Sequence, residues 1–304
     1  MNWQEVLQEI SRGEIKTIAR VISLVENEFP GYETLLRLLP NNSKAKTIGI
    51  TGPPGAGKST LVDALIEVLV NQGHKIAVLC VDPSSPFNLG AVLGDRIRMS
   101  EWYTHPDVFI RSLASRGSLG GLHPKIIEVT DILKASVFDY IIIETVGVGQ
   151  SEVEIAGLAD TTVVVVVPEG GDEVQTMKAG LMEIADLFVV NKADRPGANA
   201  FVKNLQQMLS PAFSRNKEKI EIIKTIASGK EGIIEMMQAI QLCLQNATQP
   251  DKRNWLLSEK AFQLIQTHRM RDINKQQLKL LIDKESLSKD FNLYRLVAQF
   301  SQQP

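Results

Sequence analysis

The sequence predicts an α/β fold: a doubly wound, mostly parallel sheet with helical extensions before and after it. Three observations carry this expectation. Short apolar strands alternate with helical stretches between residues 46 and 248. One of those runs, Val163–Val167, is unbroken by polar residues, as suits a central parallel strand buried on both faces. Outside that span, apolar residues recur only at helical spacing.

Residues 1–45 read as an N-terminal helical region. Trp3, Val6, Leu7 and Ile10 share one helical face, and Ile18, Val21, Ile22 and Val25 share another. Pro30-Gly31 breaks the second stretch and Pro40-Asn41-Asn42 ends the region. Both a cap on the main domain and a partner-binding role fit this pattern. In the span 46–248, strands are expected at Thr47–Thr51, Ile76–Val81, Tyr140–Glu144, Thr162–Val167, Leu187–Asn191 and Ile220–Thr225. Helices are expected at Ser59–Gln72, Ile126–Lys134 and near Ala200–Leu209. Residues 249–304 form a third region without strand signal. Trp255, Leu256, Phe262 and Ile265, then Leu278, Leu281 and Ile282, then Leu293, Leu296 and Phe300, place apolar stripes on otherwise polar helices. Such stripes need a covering surface, either the chain's own domain or a second copy; the number of helices favours a dimerisation arm.

Composition narrows the function classes. The 304 residues carry a net charge of −2 with no long basic run, which argues against nucleic acid as a partner. Two cysteines, Cys80 and Cys243, make a disulfide framework improbable and suit a reducing compartment. The four histidines are scattered, so no Cys/His cluster has zinc-ligand spacing. No apolar run approaches the ~20 residues of a membrane helix, and the start shows no basic-then-apolar leader. The expectation is a cytoplasmic protein without a membrane partner.

The strongest local signal is Gly52-Pro53-Pro54-Gly55-Ala56-Gly57-Lys58-Ser59, followed by Thr60. It follows an expected strand and opens an expected helix, the context a phosphate-binding P-loop requires. Its glycines let backbone N–H groups face a phosphate without side-chain clash, and the helix N-terminus adds partial positive charge. Lys58 can reach β- and γ-phosphates; the Ser59 hydroxyl can ligate magnesium. A magnesium–triphosphate also needs carboxylates near the carboxyl ends of neighbouring strands. Asp82 and Glu144 each end an expected strand, and Asp95 lies in the polar, glycine-bearing stretch 90–99. Ser59, Asp82, Asp95 and Glu144 are therefore the candidate metal residues. Gly147 has the position of a glycine whose N–H senses a γ-phosphate. The residue after it is Val148, where many GTPases carry a water-orienting glutamine, and Gln150 is displaced. Slow hydrolysis, accelerated by a partner, is expected.

Asn191-Lys192-Ala193-Asp194 follows the expected strand at 187–191. Asp194 can accept hydrogen bonds from guanine N1–H and the exocyclic amine, a donor pair adenine lacks. Lys192 can lie along the ring, and Asn191 can tie this loop to the P-loop. In Thr225-Ile226-Ala227-Ser228-Gly229, the Ala227 N–H is the candidate contact to guanine O6. The nucleotide is thus GTP or GDP. The catalytic candidates are Lys58, Asp95 and Glu144, acting on in-line attack of water at the γ-phosphate. Either carboxylate could position that water.

Together these residues resemble the MeaB/ArgK group, GTPases associated with methylmalonyl-CoA mutase. The resemblance covers nearly the whole chain. It is carried by Gly52–Thr60, Val81–Pro86 with Gly94-Asp95-Arg96, Ser115–Gly121, Glu144–Glu152, Gly171–Lys178 with Gly180–Asp186, and Val189–Asp194. It implies a G-protein chaperone that gates adenosylcobalamin loading and protects a cobalamin-dependent acyl-CoA mutase. It also implies a homodimer through the C-terminal helices. Asp82, Asp95 and Glu144 match the family's acidic residues around magnesium. Asp172, Gln175 and Lys178 fall in a segment that responds to the mutase. Departures occur at Asn88-Leu89, Ser118, Thr176-Met177 and Ile226, none of them at Lys58, Ser59, Asp194 or the three carboxylates. Three other readings share the P-loop: a kinase, against which Asn-Lys-x-Asp argues; a metal-insertion GTPase, against which the scattered histidines argue; and a nucleotide-switch module with no enzymatic role, which phosphate release would distinguish.

Overall fold

A computed structural model describes residues 2–40, 43–82, 99–115, 122–146, 152–169, 179–213, 220–246, 250–287 and 290–301. Met1–Asn254 form one compact unit and Trp255–Pro304 a second.

The first unit is built on seven strands: β1 (Lys46–Thr51), β2 (Ile76–Asp82), β3 (Val108–Ala114), β4 (Tyr140–Glu144), β5 (Thr161–Val166), β6 (Leu187–Val190) and β7 (Glu221–Lys224). Their order across the sheet is β3-β2-β4-β1-β5-β6-β7, and every neighbouring pair is parallel. The expected mostly parallel sheet is thus wholly parallel among the described residues. Helices connect and cover the strands: α1 (Trp3–Ser11), α2 (Ile15–Glu26), α3 (Tyr32–Leu38), α4 (Lys58–Asn71), α5 (Ile126–Lys134), α6 (Glu152–Leu158), α7 (Ala179–Ile184), α8 (Ala198–Phe213) and α9 (Ile233–Asn246).

The core follows from the strand composition. All residues of β2, β4, β5 and β6 are buried, and Phe188 in β6 is the largest fully buried side chain. On one sheet face, Ile48 and Ile50 of β1 pack with Leu61, Leu65 and Leu69 of α4 and with Met236 and Ile240 of α9. At the amino ends of the strands, three aspartates tie neighbours together. Asp139 accepts from the Lys75 N–H at 2.8 Å, Asp160 from the Thr47 N–H at 2.7 Å, and Asp186 from the Thr162 N–H at 2.8 Å. Each satisfies a backbone donor where a strand begins.

Strand β3 was not among the expected strands. Its sequence, Val-Phe-Ile-Arg-Ser-Leu-Ala, places Arg111 and Ser112 inside a short apolar run. A polar interruption of this kind is tolerated at a sheet edge. The Arg111 guanidinium is taken up by α2, pairing with Glu26 and donating to Ser23 Oγ at 3.0 Å. Ile18, Val21, Ile22 and Val25 of α2 are all buried. The N-terminal helices therefore cap this side of the domain.

In the second unit, Trp255–Arg269 continues a helix begun at Pro250 (α10, Pro250–Arg269) and is followed by α11 (Lys275–Glu285) and α12 (Leu293–Ser301). Asn274 caps α11, its side chain accepting from the Gln276 and Gln277 N–H groups. Leu256 and Leu296 are buried, while Trp255, Phe262, Ile265, Leu280, Tyr294 and Val297 stand exposed. No described helix is long and apolar enough to cross a membrane.

Candidate nucleotide site

The strand order reverses direction at β1, which lies between β4 and β5. In an open α/β sheet, the crevice at the carboxyl ends of strands beside such a reversal is where ligands bind. Every described candidate residue falls there. Gly52–Gly57 joins the end of β1 to the start of α4. Asp82 is the last residue of β2, Glu144 the last of β4, and Asn191 directly follows β6.

Two glycines explain the shape of the phosphate loop. Gly52 has φ +138°, and a Cβ there would lie 2.0 Å from the Val165 carbonyl oxygen of β5. Gly57 has φ +87°, and a Cβ would lie 2.5 Å from Asn191 Nδ2. Only glycine meets both the backbone conformation and the closeness of the neighbouring chain. The Lys58 side chain is buried and folds over the loop, its ammonium donating to the carbonyls of Gly52 at 2.9 Å and Pro53 at 3.1 Å. The cation is thus held at the mouth of the loop, within the reach of a short torsional change.

Ser59 lies in the first turn of α4 and its hydroxyl donates to Glu144 Oε1 at 2.7 Å. Beside it, the Thr145 hydroxyl donates to Thr51 Oγ1 at 2.9 Å, locking the ends of β4 and β1 together. Asp82 lies at the end of β2, the strand adjacent to β4, and is buried. The donors gathered here are one hydroxyl and two carboxylates, all hard oxygens. That chemistry fits magnesium, which takes one or two protein carboxylates and completes its shell with phosphate and water. Among the described residues, no group of three His, Cys, Asp or Glu converges on a metal position.

Asn191 is the hub of the base-side loops. Its Nδ2 donates to the Ala56 carbonyl at 2.9 Å. Its Oδ1 accepts from Thr225 Oγ1 and from the Ala227 N–H, each at 3.1 Å. The Ala227 N–H, the expected guanine O6 contact, is therefore engaged with Asn191 here. Lys192 has φ +57°, and its ammonium donates to the Gly55 carbonyl at 2.7 Å. Asp194 is exposed beyond it, in a turn closed by the Arg195 N–H to the Lys192 carbonyl at 3.0 Å.

Asp95, Gly147, Asp172, Gln175 and Lys178 lie outside the described residues. Three contacts around the site escaped the sequence reading. Thr225 supports Asn191; Arg195 pairs with Glu169, in the loop after β5; and Asp63 of α4 accepts from Trp102 Nε1 at 2.8 Å. Burial raises the Asp63 carboxyl above its usual range, although the Trp102 bond opposes this. Glu67, one turn further along α4, pairs with Lys230 beside the Ala227 loop. None of these pairs is adjacent in sequence, so no spacing pattern announces them.

A wholly parallel sheet, a P-loop opening its first strand-following helix and an Asn-Lys-x-Asp loop fastened to it define a P-loop GTPase. The family model for methylmalonyl Co-A mutase-associated GTPase MeaB matches residues 18–279, and the chain belongs to that family. A protein of Pyrococcus abyssi (strain GE5 / Orsay) is 47% identical over 241 residues, covering 78% of this chain and 74% of the relative. GTPase ArgK of Escherichia coli (strain K12) is 36% identical, covering 78% of this chain and 74% of its own. The crystal structure of an LAO/AO transport system kinase superposes with a TM-score of 0.68 at 27% identity, covering 99% of this chain and 98% of that one. The chain is a GTPase, hydrolysing GTP to GDP and phosphate.

Proposed function

We propose that this GTPase is a chaperone of a cobalamin-dependent acyl-CoA mutase of the methylmalonyl-CoA type, gating cofactor loading and protecting the loaded enzyme. The observation that carries this is the match over residues 18–279 to a family defined by association with methylmalonyl Co-A mutase. GTP and magnesium are bound by Gly52–Thr60, with Lys58 toward the β- and γ-phosphates. Ser59, Asp82, Asp95 and Glu144 hold or surround the metal, which when bound would neutralise charge on the phosphates. Asn191, Lys192 and Asp194 read guanine. Lys58 leaves its carbonyl partners to meet the nucleotide, and Asp95 or Glu144 orients the attacking water. Gly147 senses the γ-phosphate, and Asp172, Gln175 and Lys178 respond to the mutase. The exposed apolar side chains of α10–α12 support a homodimer built through the C-terminal helices. A cytoplasmic location accords with these assignments.

A kinase is the second reading, favoured by the name of the superposed transport-system kinase. The Asn-Lys-x-Asp loop weighs against it, because most such kinases use ATP, whose adenine lacks the donor pair that Asp194 accepts. The test is GTP turnover by the pure protein with and without a purified cobalamin-dependent mutase, with ATP and Lys58→Ala as controls. The chaperone reading expects slow, GTP-specific turnover that the mutase accelerates and the variant loses. Turnover indifferent to every such mutase would overturn it.

A further inference from the structure

We propose that Glu169 is a specificity-determining residue for guanine: by holding the Arg195 guanidinium, it keeps the adjacent Asp194 carboxylate open to the base. The inference rests on the reading of Asp194 as the guanine acceptor and adds a residue remote in sequence to that site.

Two cations flank Asp194, and both are drawn away from it. Lys192 donates to the Gly55 carbonyl of the phosphate loop at 2.7 Å. Arg195 Nη1 pairs with Glu169 Oε1. Among the described residues, the Asp194 carboxylate makes no hydrogen bond or ion pair. An acceptor flanked by two cations and paired with neither is available for a ligand.

The competition has a definite chemistry. Guanine presents two parallel N–H donors, and both oxygens of one carboxylate are needed to accept them. An arginine guanidinium presents the same two-donor fork and prefers the same two oxygens. Arg195 follows Asp194 directly, on a long stem that can bend back across the turn. Without Glu169, the cheapest partner for the guanidinium is the neighbouring carboxylate. Glu169 is well placed to prevent this: it lies three residues beyond β5, and the Asn191 N–H that starts the base loop donates to the Val166 carbonyl at the end of that strand, at 2.8 Å. The Glu169 and Arg195 side chains are roughly half exposed, 50% and 43%. An exposed pair of this kind contributes little to folding, so its loss should register in base binding rather than in stability.

The test is a calorimetric titration of GDP and of inosine diphosphate, which lacks the exocyclic amine, into the full chain. The variants are Glu169→Ala, Arg195→Ala and the double variant. Glu169→Ala should weaken GDP about two- to fivefold and narrow its advantage over inosine diphosphate. Arg195→Ala should bind GDP like the parent, and adding it to Glu169→Ala should restore affinity. Thermal midpoints without nucleotide should agree. If the pair merely staples two loops, both single variants and the double variant weaken alike, and the proposal is lost. Asp194→Asn separates the underlying reading, because it should move preference from guanosine to xanthosine diphosphate. No such move would overturn the Asp194 assignment itself; that move, with a weak double variant, would overturn only the role of Glu169.

Discussion

Asn191 donates to the Ala56 carbonyl at 2.9 Å and so fastens the loop after β6 to the phosphate loop after β1, although 135 residues separate them in the chain. The same side chain accepts from Thr225 and Ala227. One amide therefore sets the distance between the part of the site that holds phosphate and the part that holds the base. A buried amide with three filled hydrogen bonds is costly to remove, because each partner is left without one. Asn191→Ala should weaken GDP at least tenfold and cost about 1–3 kcal/mol of folding stability. Calorimetry with GDP and urea unfolding without nucleotide check the two effects separately.

Ser59 and Glu144 meet at 2.7 Å where the metal is expected. Ser59→Ala removes a hard oxygen donor while leaving the helix intact. Magnesium should then be needed at higher concentration for half-maximal GTP turnover, with metal-free GDP affinity little changed. A magnesium titration of turnover, beside GDP binding in a chelator, measures both.

Burial raises the Asp131 carboxyl above its ordinary 3.8, with Lys134 and Arg253 only partly opposing this. Because the folded-state value lies above the unfolded one, the contribution to stability is full below 3.8. It is lost as pH rises through the raised folded value. At neutral pH the folded chain therefore carries a charge it disfavours. Asp131→Asn should raise the thermal midpoint at pH 7, and the gain should shrink toward nothing below about pH 4. Melting curves across that range decide it.

Phe188 in β6 is fully buried and is the largest such side chain. Phe188→Ala should cost about 3–5 kcal/mol and leave the denaturant slope unchanged. Urea unfolding of the variant against the parent measures both quantities.

The parts of the molecule readable from sequence are those whose logic is local. Gly52–Ser59 is an eight-residue pattern, and its neighbours β1 and α4 are marked by adjacent apolar spacing. The bounds of α5 and β4 coincide with expectation, Ile126–Lys134 and Tyr140–Glu144, because their apolar residues are dense and their ends are polar. β3 was hidden because Arg111 and Ser112 break its apolar run, and the partner that excuses them, Glu26, is 85 residues away. The helices α6, α7 and α9 were also passed over; α7 is only six residues long, too short for periodicity to register. Among site residues, Asn191 and Asp194 announce themselves by a tetrapeptide. Thr225, Glu169 and Asp63 act through partners 34, 26 and 39 residues distant, and only folding reveals them.

The way α2 packs on α5 and takes up Arg111 of β3 alters where this GTPase domain should be said to begin. Every nucleotide motif lies after residue 46, so a shortened chain starting there would keep all of its chemistry. It would also bare the apolar side of α5 that α2 packs against and leave Arg111 of β3 without Glu26. An apolar face laid open in this way invites association with another copy. The first two helices thus guard solubility as well as shape, and a chain lacking them should precipitate before its catalysis could be assayed.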